Sequence, residues 1–149
     1  MVIVSGDSLY NEQSGHFQGL NLEKNKIQIM IGVSESELLL LFKAYLSSLG
    51  MRVETARGGQ EVIDQFVNRE ENGLPYDFIV LDTHLLSPSG LDVAQRIHSE
   101  KPDQNMVLVT TTPKENLKRE CFKAAGIKDK DILTIPFKLS SLRSALTYN

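Results

Sequence analysis

Between residues 27 and 147, short apolar runs alternate with amphipathic stretches five times over. Residues 27–31 form the first run. Residues 35–49 then place Leu38, Leu41, Phe42, Tyr45 and Leu49 at helical spacing. Ser34 stands three residues before Glu37, a capping-box spacing that predicts the helix start. Gly50, able to take positive φ, predicts its end. The same logic gives a strand over 51–54 and a helix over 60–72, stopped by Gly73 and Pro75. It gives a strand over 78–81 and a helix over 91–100, after a loop of Ser87, Pro88, Ser89 and Gly90. A strand over 106–109 precedes a helix over 115–125 closed by Gly126. A strand over 132–134 and a helix over 140–147 complete the series. Strands alternating with helices of this length need crossover connections, and therefore a parallel sheet. The runs at 78–81 and 106–109 lack polar alternation, as expected when both sheet faces are covered. Such a sheet works at the carboxyl ends of its strands.

The remainder of the chain narrows the function classes. At 149 residues it has room for one domain. Residues 1–26, rich in Gly, Ser and Asn without sustained periodicity, read as a tail or linker with a short strand at residues 2–4. The domain is then 27–149. Sixteen Lys plus Arg against nineteen Asp plus Glu give a net charge of −3, without the basic surplus that direct nucleic-acid binding usually shows. Cys121 is the single cysteine, so there is no internal disulfide framework and a reducing compartment is expected. No run approaches the roughly 18 apolar residues of a membrane helix, and the start MVIVSGDSLY lacks a signal-peptide pattern. The expected location is cytoplasmic, with no membrane partner.

The strand ends carry the chemistry. Asp82 directly follows the apolar run Phe78-Ile79-Val80-Leu81. A carboxylate there is costly to bury without a partner or a task. Gly90 lies eight residues on, Thr110 ends the fourth strand, and Pro136-Phe137 follows the fifth. In this order and spacing, the stretch from Ile27 to about Thr147 resembles the receiver domain of two-component response regulators. LLLLFKAYLSSLGMRVETARGGQEVIDQF is similar to that family's first helix, second strand and second helix. YDFIVLDTHLLSPSGLDVAQRI is similar to its third strand, phosphoacceptor loop and third helix. The resemblance implies a flavodoxin-like, doubly wound α/β fold: a (βα)5 three-layer sandwich whose parallel five-stranded sheet runs in the order 2-1-3-4-5. It implies Asp82 as the position that accepts a phosphoryl group from a histidine kinase, and Thr110 as the position that contacts that group.

The family also uses an acidic pair after strand one to help bind Mg²⁺, and a lysine before Pro-Phe after strand five. A carboxylate attacking a phosphoryl group must overcome mutual negative charge, so a divalent cation and an ammonium neutralise the developing charge. Here the acidic pair reads Val33 and Ser34, and the lysine position reads Ile135. Ile132 holds the place of the usual switching aromatic, and Lys138 falls beyond the bend. Glu35 is the nearest carboxylate and the remaining candidate metal ligand. The resulting expectation is a pseudo-receiver: not an enzyme, without a cofactor, acting by contact with a histidine kinase or a downstream effector, with phosphorylation at Asp82 impaired or absent. A working phospho-accepting regulator is the alternative, and an FMN-binding flavodoxin-like protein, suggested by Ser34 and Ser36, is the remote one. His84 reads as an incidental loop residue rather than a proton donor or metal ligand, and Cys121 as a packing residue. Leu38 to Leu41 exceed what one helix face needs and suggest a wide apolar stripe or a homodimer surface. The bend at Ile135-Pro136 is the place for a cis peptide bond.

Overall fold

The structure, a computed structural model, describes residues 26–147. The strand expected at residues 2–4 lies outside the described residues. The elements run β1 (Gln28–Gly32), α1 (Ser36–Ser48), β2 (Arg52–Ala56), α2 (Gly59–Glu71), β3 (Phe78–Asp82), α3 (Gly90–Glu100), β4 (Asn105–Thr110), α4 (Arg119–Ala124), β5 (Ile132–Thr134) and α5 (Leu139–Ala145). The strands form one parallel sheet in the order β2-β1-β3-β4-β5. The parallel sheet is what the alternating pattern implies, and the doubly wound order 2-1-3-4-5 is what the resemblance implies.

Burial explains why the central strands read as unbroken apolar runs. All five residues of β3 are buried, as are four of the five in β1 and five of the six in β4. Alternate side chains enter opposite layers, as the pleat requires. Met30, Ile79, Leu81, Met106 and Leu108 join α2, α3 and α4 through Val62, Phe66, Val93, Ile97 and Phe122. Ile29, Ile31, Phe78, Val80, Val107 and Val109 join α1 and α5 through Phe42, Leu46, Leu142 and Leu146. Phe42 anchors the second layer: it is buried, and its ring stacks on Phe137 with centroids 5.9 Å apart. Phe42→Ala is therefore expected to cost about 3–5 kcal/mol of unfolding free energy, read from chemical denaturation. A loss below 1 kcal/mol would mean that α1 and α5 do not share this core.

Three local expectations are corrected. The cap of α1 is Glu35, not Ser34. The Glu35 carboxylate accepts hydrogen bonds from the Leu38 N–H at 2.7 Å and the Glu37 N–H at 3.3 Å. An acidic side chain there also complements the helix dipole. The helix expected over 115–125 is split. A single 3-10 turn, Lys114–Asn116, closes on Pro113, and α4 begins only at Arg119 with no side-chain cap. Leu117 between them packs against the α2–α4 core, and Lys118 takes extended backbone, φ −78° and ψ 117°, which interrupts the helix. The last helix starts one residue earlier than expected, at Leu139, with Lys138 as its N-terminal flank. The glycine stops hold: Gly50, Gly73 and Gly126 all take positive φ. Ile135-Pro136 is cis as expected, and Ser87-Pro88 is cis as well.

At the amino end of the sheet a polar knot ties β1, β2 and α2 together. Arg69 pairs with Glu54 at 2.8 Å, donates to the Gln28 side-chain carbonyl at 3.0 Å, and lies over the Tyr76 ring. Burial, and then the Glu54 carboxylate that accepts its hydroxyl, push the Tyr76 phenol above its ordinary range. The knot lies at the far end of the strands from Asp82.

Candidate phosphoacceptor site

β3 delivers Asp82 to the carboxyl end of the sheet, opposite Val109 of β4. The carboxylate is buried, and its Oδ1 accepts a hydrogen bond from the His84 N–H at 3.0 Å. The His84 ring is exposed, with Nδ1 3.6 Å from the same oxygen. The loop after Asp82 is held on every side. The Leu85 N–H donates to the Asp82 carbonyl at 3.0 Å, and the Leu85 side chain is fully buried. The carbonyls of Leu86 and Ser87 accept from the Gly59 and Gln60 N–H groups at the start of α2, at 2.8 and 2.9 Å. Gly90 packs its Cα against the Asp82 carbonyl so closely that a Cβ would sit 2.0 Å from that oxygen. Ser87 takes φ of 61°, a region sparsely populated by residues with a side chain.

Thr110, at the end of β4, is fully buried. Its hydroxyl accepts from the Thr83 hydroxyl at 2.9 Å and from the Thr112 N–H at 3.0 Å. Its carbonyl accepts from the Ile135 N–H at 2.7 Å. The structure thus brings Asp82, Thr110 and Ile135 to the same end of three neighbouring strands.

The positions that resemble the family's charged residues are occupied differently. Val33 is fully buried in the α1–α5 core, and its N–H bonds to the Ala56 carbonyl at 3.0 Å. Ser34 is half-buried, and its carbonyl accepts from the Arg57 guanidinium at 3.1 and 3.4 Å. A guanidinium therefore stands beside the position of the second acid. The Glu35 carboxylate is spent on the first turn of α1. Ile135 is half-buried against the α1–α5 core, and Ile132 is buried in the other layer. Lys138 is exposed beyond the bend. Mg²⁺ takes oxygen ligands in near-ideal octahedral geometry. Val33 offers none from its side chain, and among the described residues no three His, Cys, Asp or Glu side chains cluster to hold a metal. Neither position that resembles the acidic pair supplies a carboxylate to such a shell.

Two residues of the site escaped the reading of the sequence, Thr83 and Arg57. Thr83 carried a faint signal, a hydroxyl directly after a buried acid. Arg57 carried none, because its partner is a backbone carbonyl 23 positions away. Cys121 is half-buried in α4, and Leu40 and Leu41 are exposed beside the buried Leu39.

The sequence profile of the response regulator receiver domain matches residues 34–147. Comparison with curated protein sequences gives no match. Many solved structures share the fold. The BeF3-activated receiver domain of DrrB is 25% identical, covering 80% of this chain and 92% of that one, with a TM-score of 0.64. The response regulator TrrA of Thermotoga maritima, solved in complex with Mg(2+)-BeF, is also 25% identical, covering 78% and 92%, with a TM-score of 0.65. The chemotaxis protein CheY4 of Vibrio cholerae, at 22% identity over 81% and 96% of the two chains, has a TM-score of 0.66 and supports the fold alone. No helix among the described residues is long and apolar enough to cross a membrane. With the profile spanning every helix and all strands after the first, the chain belongs to the response regulator receiver domain family of two-component signalling.

Proposed function

We propose that this receiver signals by protein–protein contact while Asp82, in the phosphoacceptor position, is poorly equipped to be phosphorylated. The observation that carries this reading is the lack of charge at the three positions that resemble the family's acidic pair and lysine. The side chains at Val33, Ser34 and Ile135 carry no charge, and Glu35 is committed to capping α1. Removing one well-placed charge-stabilising donor typically costs about 10²–10³ in rate. The metal ligands and the ammonium are missing together here, although such losses do not add. TrrA holds Mg(2+)-BeF in its solved structure. In this chain the equivalent chemistry would have to proceed without the acidic pair. An acyl phosphate on Asp82 would also lack its ion pair, leaving little differential energy to shift a conformational equilibrium.

The test is direct. Incubated with Mg²⁺ and acetyl phosphate, the protein is expected to show no Asp82-dependent mass gain of one phosphoryl group, with Asp82→Asn as the control. A stable adduct absent from that control would establish the working-regulator alternative instead.

A further inference from the structure

We infer that Thr83 is a positioning residue that holds the Thr110 hydroxyl in one orientation and joins the acceptor loop to the end of β4. The inference rests on reading Asp82 and Thr110 as the acceptor and contact positions. It does not depend on whether Asp82 is phosphorylated.

A threonine hydroxyl has one donor and two acceptor lone pairs. Both lone pairs of Thr110 are used, by the Thr83 hydroxyl at 2.9 Å and by the Thr112 N–H at 3.0 Å. Thr110 is fully buried, so no water replaces a partner it loses. Rotating its χ1 would break both bonds at once, and a β-branched side chain already resists rotation. With both acceptor sites taken in this arrangement, the Thr110 hydroxyl keeps one proton to donate.

Thr83 is itself fixed. Its N–H bonds to the Val109 carbonyl at 3.0 Å, extending the β3–β4 ladder one residue past Asp82. Its hydroxyl lies 3.4 Å from the His84 Nδ1. Backbone and side chain of one residue thus fasten the loop of Asp82 to two consecutive residues of β4, Val109 and Thr110. The loop and the end of β4 then move as one piece.

The test is the side-chain rotamer of Thr110, measured by NMR three-bond couplings on the unphosphorylated protein. Thr83→Val keeps the shape and removes the hydroxyl. It is expected to shift the Thr110 rotamer ratio about two- to tenfold away from the dominant state, the range for one lost hydrogen bond. Thr83→Ser is expected to restore the native couplings. A purely structural role would lower the melting temperature without moving those couplings. Should Thr83→Val fold poorly, Thr83→Ala serves in its place. Native couplings at Thr110 in a folded variant without the hydroxyl would overturn the inference. The mass assay on Asp82 is a separate readout, so failure there leaves this result standing, and the reverse.

Discussion

Restoring a carboxylate after β1 and an ammonium after β5, by Ser34→Asp with Ile135→Lys, is expected to raise the rate of Asp82 phosphorylation by acetyl phosphate roughly 10²–10³-fold in Mg²⁺. The positions suit the purpose. Ser34 is half-buried two residues past β1, and Ile135 is bonded through its N–H to the carbonyl of Thr110. Val33 is left alone, because a carboxylate buried in the α1–α5 core would cost more folding energy than the site gains. Ile135→Lys gives up some apolar contact, but the long lysine stem keeps part of it while the ammonium reaches solvent. The measurement is intact-mass kinetics, with Asp82→Asn in the same background as the control. A double variant that folds and yet reacts no faster than the natural chain would show that missing charge is not what limits Asp82. It would return attention to the fixed loop that carries it.

The second large effect concerns the support beneath that loop. Gly90→Ala is expected to destabilise the domain by about 1–3 kcal/mol or more. The new Cβ would lie 2.0 Å from the Asp82 carbonyl oxygen and 2.8 Å from its carbon. Both are backbone atoms of a central strand, so neither can swing aside as a side-chain tip would. Either α3 lifts from the sheet or the end of β3 is displaced, and Val93, Ala94 and Ile97 share the consequence because they are buried under α3. Gly50→Ala is the informative comparison. Gly50 has no atom near its missing Cβ, but its φ is +86°. Its replacement is expected to cost roughly 1–2 kcal/mol through the backbone alone, and to leave the amide spectrum around Asp82 unchanged. If Gly90→Ala proves as mild as Gly50→Ala, with Asp82 undisturbed, the close packing of α3 on β3 is not a constraint.

The strands were legible because their physics is one-dimensional. A segment buried on both faces must be apolar throughout, and 78–81 and 106–109 are. The glycine stops were legible for the same reason, since a left-handed residue after a helix is a local requirement. The cap of α1 was misread because Ser34 and Glu35 are adjacent and both can cap. The choice fell to Glu35 because the chain leaves β1 with Val33 in the core and Ser34 against Arg57. The expected span of α4 is too long because nothing in its apolar spacing marks the extended backbone at Lys118. At the site, the placement of Asp82 and Thr110 at neighbouring strand ends was legible from order along the chain, and so were the uncharged side chains at Val33, Ser34 and Ile135. The bonds that define the site's character were not. Thr83 to Thr110 spans 27 positions, and the Leu86 and Ser87 carbonyls reach back across the fold to α2. Such contacts leave no periodicity behind.

The amides of Gly59 and Gln60 begin a helix, where backbone N–H groups ordinarily face water and exchange their hydrogens quickly. Here they are closed by the carbonyls of Leu86 and Ser87. Their exchange with solvent deuterium therefore waits on the acceptor loop letting go. Two amides on a different helix become a clock for how often the segment carrying Asp82 opens.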